Sequence, residues 1–266
     1  MTTAETIAQG RALLQSLRPL PASVVEELRH RYEVRLTHHS TAIEGNTLTQ
    51  SETEIVLEKG ITIAGKSLAD HLEVVGHKEA LDFVRMLASG DEEIGERQIR
   101  EIHALVMKGQ HQADIGAYRT LDVRAAGTDF TYPSHLKVPE LMKEFASWLS
   151  CADRSEAIGF VTEAHFRFVT IHPFRDGNGR VGRLLMNLWL LRLAYPIAVI
   201  PVERRAEYID ALVAAQSGGD LDPLRSLVAE SVLAGLLDTL ATCASSEEVR
   251  AAHPEVLLEV ESWLQP

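Results

Sequence analysis

Twelve consecutive residues, His172-Pro173-Phe174-Arg175-Asp176-Gly177-Asn178-Gly179-Arg180-Val181-Gly182-Arg183, bring a proton acceptor, a carboxylate, closely spaced glycines and the guanidinium groups of Arg180 and Arg183 into one short stretch. Gly177 and Gly179 let the backbone come close to a ligand. A helix starting there aims its free N–H groups and the positive end of its dipole outward, which makes an anion site. Arg180 and Arg183 are three apart, so both project from one face of that helix with a fork geometry suited to phosphate. Two arginines at one helix start point to a polyphosphate. Asp176 can hold a Mg²⁺ that bridges phosphates; as a helix N-cap it has an equally ordinary structural role. His172 carries the side chain whose unperturbed pKa suits a general base near neutral pH. Each residue has a structural explanation by itself, but the cluster has no shared one.

A second stretch far upstream, Ser40-Thr41-Ala42-Ile43-Glu44-Gly45, places Ser40 and Glu44 four apart and therefore on one helix face. Glu44 falls in the last turn before a glycine, where the dipole disfavours a carboxylate. It is either a solvated surface glutamate or the partner of a cation. Arg183, in the cluster downstream, is the expected cation.

The elements that position these residues are mostly helical. Ser23 and Glu26 match a capping box that opens a long helix, on which Val25, Leu28, Tyr32, Leu36, His39 and Ile43 recur at steps of three or four before Gly45 ends it. Ser51 with Glu54 is a second box. Apolar steps continue through 68–87, 99–107, 141–149 and 224–240. Two places break the pattern. Tyr118 to Val123 and Phe130 to Tyr132, around Ala126-Gly127, read as a β-hairpin, and Pro173 to Gly182 is the glycine-rich stretch already described. The final stretch, 245–266, shows a short amphipathic pattern after Pro254.

Composition narrows the function. The 266 residues are 45% hydrophobic and 24% charged, ordinary globular usage. A net charge of −12 has the wrong sign for general nucleic-acid binding. Cys151 and Cys243 are too few for a disulfide framework and lack metal-ligand spacing, which fits a reducing compartment. With no basic and apolar leader pattern at Met1 to Glu5 and no uninterrupted apolar span, cytoplasm without membrane attachment is the expected location.

One competing pattern lies inside the same segment. Gly177-x-Gly179-x-x-Gly182, followed by a helix, the strand-like 197–200 and Glu203, satisfies a dinucleotide-binding fingerprint, the remote reading being an NAD-binding βαβ unit. The polar 172–176 before the first glycine and the lack of an alternating βαβ pattern speak against it.

The segment 172–183 resembles the signature of Fic-domain proteins, H-x-F-x-D/E-G-N-G-R-x-x-R, at every fixed position. Gly116-x-Tyr118-Arg119, the run from Ala164-His165 to Ile171 and Arg205-x-x-Tyr208-x-x-Ala211-Leu212 also look like that family, and Ser40 to Gly45 resembles its N-terminal inhibitory motif. The resemblance implies an all-α Fic-type helical bundle with a short β-hairpin flap beside the active site. It divides the chain into an N-terminal helical region (1–95) carrying the inhibitory helix, a catalytic core (96–235) and a C-terminal helical tail (236–266).

It further implies a protein adenylyltransferase that moves AMP from ATP to a Ser, Thr or Tyr hydroxyl of a target protein. His172 would be the base and Asp176 the Mg²⁺ ligand. Gly177, Asn178 and Gly179 would form the anion nest, Arg180 would contact phosphate and Arg183 would bind the γ-phosphate. Phe174 would be a packing anchor, Tyr208 and Asn187 nucleotide contacts, and Glu44 with Ser40 the inhibitory pair. Relatives that phosphorylate place lysine at the position of Gly179, so glycine favours AMP transfer. The flap at 118–132 would dock the target by strand pairing. Removal of AMP from the same target, or ATP sensing without transfer, stand as alternatives, and a homo-oligomer is a possible regulator.

Overall fold

The computed structural model describes residues 2–110, 114–124 and 130–265, and among these every regular element is a helix. In chain order they are α1 (Thr3–Ser16), α2 (Ala22–Ala42), α3 (Gln50–Lys59), α4 (Leu68–Ser89), α5 (Glu96–Val106), α6 (Val138–Cys151), α7 (Ala157–Ile171), α8 (Asn178–Arg192), α9 (Arg205–Gln216), α10 (Asp222–Ser245), α11 (Glu247–Ala252) and α12 (Pro254–Leu264). Short 3-10 turns, His135–Lys137 and Val202–Arg204, lead into α6 and α9.

The middle of the fold is α8. It is buried nearly all round, Arg180, Arg183 and Asn187 included, and is enclosed by α7, α4, α5 and α2. Gly182 sets the closeness of α7, since a Cβ there would lie 2.9 Å from Val169 Cγ1 and 3.1 Å from the His165 ring. A second set of contacts joins α10 to α1, α7 and α12, so both ends of the chain pack on one core helix. By length and composition α10 is apolar enough to cross a bilayer, but 56% of its apolar window is buried against these neighbours, as in a core helix.

Helix boundaries follow local chemistry more closely than the sequence reading allows. Pro21 precedes α2 with no side-chain cap, while the Ser23 hydroxyl reaches Glu248 and Glu26 pairs with Arg29. Thr49 and Glu52, not Ser51 and Glu54, cap α3 reciprocally, because two overlapping boxes were available and the helix starts at the earlier. On α2 the inward residue is Val24, 3% exposed, whereas Val25 is 48% exposed. Residues 24, 28 and 32 stack at steps of four, leaving 25 beyond the edge of the stripe.

Neither 118–124 nor 130–132 is a strand, and the expected hairpin turn at 126–127 lies outside the described residues. The reason is visible in the partners. The buried Arg119 guanidinium donates to the carbonyls of Leu121 and Pro133, and its backbone N–H goes to Pro173, so groups a ladder would need are spent elsewhere. The run 197–200 is not a strand either, since both backbone groups of Ala198 bond the Asn187 amide. With no strand among the described residues, the NAD-binding βαβ reading falls.

Candidate active site

Between α7 and α8 the chain makes a tight connection from His172 to Gly177. His172 ends α7 in the left-handed region, φ 51 and ψ 58, a conformation that costs a non-glycine residue about 1–2 kcal/mol. Gly177, φ 78, opens α8. The Asn178 side chain closes the loop by accepting from the Phe174 N–H (2.9 Å) and donating to the Phe174 carbonyl (2.8 Å). Asn178 therefore contributes a backbone amide to the nest, while its side chain is a staple. Phe174 is fully buried and stacks on His103 with ring centroids 3.7 Å apart. His103 accepts from the Gly116 N–H on Nδ1, which leaves Nε2–H to donate to the Asp176 carbonyl at 3.1 Å. Arg119 Nε donates to the His172 carbonyl at 2.8 Å.

The His172 ring is aimed by two neighbours. Its Nδ1–H donates to the Val169 carbonyl at 3.2 Å, which leaves the lone pair on Nε2, and the Tyr132 ring lies 4.1 Å away. Burial, reinforced by the Arg119 charge, pushes the His172 pKa down to about 4. The imidazole is thus neutral, and able to accept a proton, across the neutral range.

His172, Asp176, Gly177, Asn178, Gly179, Arg183, Tyr208 and Glu44 all line one cavity of about 340 Å³. The structure brings these expected residues together. A larger recess, about 500 Å³, lies between α2 and α3 and contains none of them. The first amides of α8 have no intrahelical acceptor and lie at the cavity floor.

Arg183 is almost fully buried. Its Nε donates to Ser40 Oγ (3.0 Å), and its Nη2 to the Ser40 carbonyl (2.6 Å) and Glu44 Oε1 (2.7 Å). The guanidinium lies over the Tyr208 ring, 5.8 Å from its centroid. Its Nη1 has no hydrogen-bond partner, and a Cβ on Gly179 would lie 3.1 Å from it. That same Cβ would overlap the Glu44 carboxylate, so Glu44 rests directly on the glycine nest.

Two expected nucleotide contacts, Arg180 and Asn187, are absent from the cavity. Arg180 turns beneath α8 to pair with Glu73 at 2.6 Å, and with Asp176 at 3.2 Å, because α4 offers a buried carboxylate there. Being 3% exposed, Arg180 braces the Asp176 carboxylate and does not present itself to a ligand. Asn187 is fully buried and donates to the carbonyls of Arg183 and Ala198 while accepting from the Ala198 N–H. Ser40 acts on Arg183 and does not line the cavity. Tyr208 lines the wall, with its hydroxyl 2.8 Å from His165 Nε2.

Sequence reading missed Glu73, His103 and Gln216. The first two lie on the inward faces of α4 and α5 and looked like ordinary helix residues. Gln216 ends α9 and lines the cavity, its amide 3.3 Å from Thr170 Oγ1.

Two expected results follow from this packing. Asn187→Ala leaves both backbone groups of Ala198 without partners, a loss on the order of 3 kcal/mol, and melting is expected to fall by about 6–12 °C. Burial also depresses His103 and His165 to about 4 and His77 to about 3, alongside His172. The unfolded chain takes up protons near the ordinary histidine value that the folded chain refuses. The corresponding stability is complete above about pH 6.5 and is lost as pH falls toward 4. Melting temperature measured at pH 7.5, 6 and 5 should drop steeply over the last interval.

Fold and site together define a helical domain in which an imidazole and a buried guanidinium face the N-terminus of α8 across one cavity. Residues 93–190 match the Fic/DOC family, and the chain belongs to that family. It is 39% identical over 199 residues to the protein adenylyltransferase fic-1 of Caenorhabditis elegans, covering 73% of this chain and 38% of that protein. A mosquito relative, protein adenylyltransferase Fic of Culex quinquefasciatus, is 32% identical over 97% of this chain and 50% of its own length. The chain thus spans half or less of these relatives. Among solved structures, Fic-1 residues 134–508 from C. elegans superposes with a TM-score of 0.81 at 32% identity, covering 92% of this chain and 74% of that one. A Fic-domain signaling protein from Bacteroides thetaiotaomicron gives 0.83 at 28% identity, covering 91% and 99%.

Proposed function

We propose that the chain is a protein adenylyltransferase that moves AMP from ATP to a hydroxyl of a target protein, held inactive by Glu44. The observation that carries this reading is the single cavity in which a neutral, tautomer-fixed imidazole faces a helix N-terminus and a buried guanidinium with one unspent donor. A purely nucleotide-sensing module has no use for the base.

The target hydroxyl gives its proton to His172 Nε2 as its oxygen attacks the α-phosphorus. The bond from that phosphorus to the oxygen bridging the β-phosphate breaks, and pyrophosphate leaves. The α8 amides and Arg183 hold the phosphates and offset charge as it shifts onto the leaving group. Gln216, at the end of the largely apolar wall formed by Val169, Leu212 and Val213, suits the polar edge of adenine.

Asp176 fits Mg²⁺. Its side chain is 51% exposed at the cavity, and it belongs to no group of three clustered ligand-type side chains among the described residues. One carboxylate with substrate oxygens and water is the usual arrangement for this ion, which when bound neutralises phosphate charge. Arg180 and the Gly177 N–H keep one Asp176 oxygen in place.

Glu44, in the turn that follows α2, makes the inhibitory element. By accepting from Arg183 and covering Gly179, it fills the place a terminal phosphate needs. The target is proposed to dock along 118–132, where Arg119 ties the segment to the His172 carbonyl and Leu121 is 66% exposed. A second reading, removal of AMP from the modified target, is favoured by one observation, the 36% exposed Glu44 side chain facing the cavity of His172, where it can orient a water. The test is incubation of the Glu44→Gly variant with α-labelled ATP, Mg²⁺ and a cell lysate, followed by mass spectrometry. Magnesium-dependent labelling of protein hydroxyls supports transfer; ATP binding without any labelling overturns it.

A further inference from the structure

We infer that Arg205 is a second latch on the inhibitory turn, a positioning residue that holds Glu44 in place without touching it; the inference rests on the autoinhibition proposed above. The last carbonyls of α2 are individually accounted for. Those of Thr41 and Ala42 take the turn's own N–H groups, from Glu44 and Asn46 and from Gly45 respectively. The Ser40 carbonyl takes Arg183 Nη2. The Ile43 carbonyl, immediately before Glu44, takes Arg205 Nε at 2.7 Å.

The end of α2 is therefore capped by two arginines, one from α8 and one from α9, at the pole where the dipole favours cations. Among the described residues Arg205 has no carboxylate partner, unlike its neighbour Arg204, which pairs with Glu207 and Glu230. The turn leading into α9 adds a further grip one helical turn earlier, as the Val202 N–H donates to His39 Nδ1 at 3.1 Å. Gly45, at φ 107, follows directly, so the backbone beyond Glu44 has a soft joint about which it can swing once these grips are released.

Arg205 is exposed and lines the mouth of the same cavity, while Arg183 is buried beneath it. Of the two caps it is the accessible one. Its removal should loosen Glu44 while leaving the Arg183 ion pair chemically intact.

The test measures AMP incorporation from α-labelled ATP for the intact chain, Arg205→Ala, Arg205→Lys, Glu44→Gly and the Glu44→Gly/Arg205→Ala double variant, with amide hydrogen exchange of residues 40–46 for each. Arg205→Ala is expected to raise transfer by about threefold to tenfold, the range of one hydrogen bond to a charged donor at a partly exposed site. Exchange over 41–46 should speed up by a comparable factor. Lysine, which keeps a cation at the helix end, should restore most of the inhibition. No further gain is expected when Arg205→Ala is added to Glu44→Gly. Unchanged exchange at 41–46 in Arg205→Ala overturns the latch even if Glu44→Gly is active, and so does a further gain in the double variant. If Glu44→Gly is itself no more active than the intact chain, there is no inhibition to latch and both readings fall.

Discussion

Glu44→Gly is expected to incorporate at least about tenfold more AMP than the intact chain at equal ATP. The parent protein has Arg183 Nη2 committed to Glu44 at 2.7 Å, with the carboxylate resting on Gly179. Any terminal phosphate entering this berth meets a like charge and a filled volume. An energy difference of about 1.4 kcal/mol between the two arrangements already gives tenfold, and a partly buried ion pair exceeds that. Without nucleotide the variant keeps Ser40 and the Tyr208 ring around Arg183 but loses its counter-charge, so its melting temperature should fall. ATP should then raise that temperature more than it does for the parent, because the ligand binds only the folded state. Glutamine at 44 keeps the volume and removes the charge, and an intermediate rate is expected. Incorporation by Glu44→Gly no greater than the parent's would defeat the clamp. If AMP removal also occurs, the same variant should lose it.

The second large effect concerns the base. Tested in the Glu44→Gly background, His172→Ala should lower transfer by about a hundred- to ten-thousandfold, the range for losing a positioned general base. ATP binding should persist, because the phosphates are held by the α8 amides and Arg183. The pH profile gives an independent check. A base depressed to about 4 is already unprotonated at pH 5.5, so the limb assigned to His172 should be missing between about pH 5.5 and 8. A rate that halves near the ordinary histidine value, or a His172→Ala variant that retains full transfer, would remove the imidazole from the reaction.

Much of this site was legible in the amino-acid order. The segment 172–183 works through features that are local in the chain, namely Gly177, where the backbone turns left-handed, and a helix that starts at the next residue. Ser40 and Glu44 were expected on one helix face; α2 instead ends at Ala42, and the two meet at Arg183 from the helix end and the turn after it. The helix limits were less secure, as the shifted cap of α3 shows. Strand-like composition misled at 118–123 and 197–200, where buried side chains, Arg119 and Asn187, claimed the backbone groups.

Chain order alone thus determined which chemical groups stand together at the start of α8. Tertiary packing brought Glu44 to Arg183, the expected cation, and decided what became of the other arginine. Arg180 and Arg183 are three residues apart and were both expected at phosphate, yet α4 presents Glu73 to one, while the end of α2 and the turn after it present Ser40 and Glu44 to the other. The physical reason is that a buried guanidinium is neutralised by whatever carboxylate the neighbouring helix brings within reach. These carboxylates come from more than a hundred residues away, a separation over which only helix packing has a say.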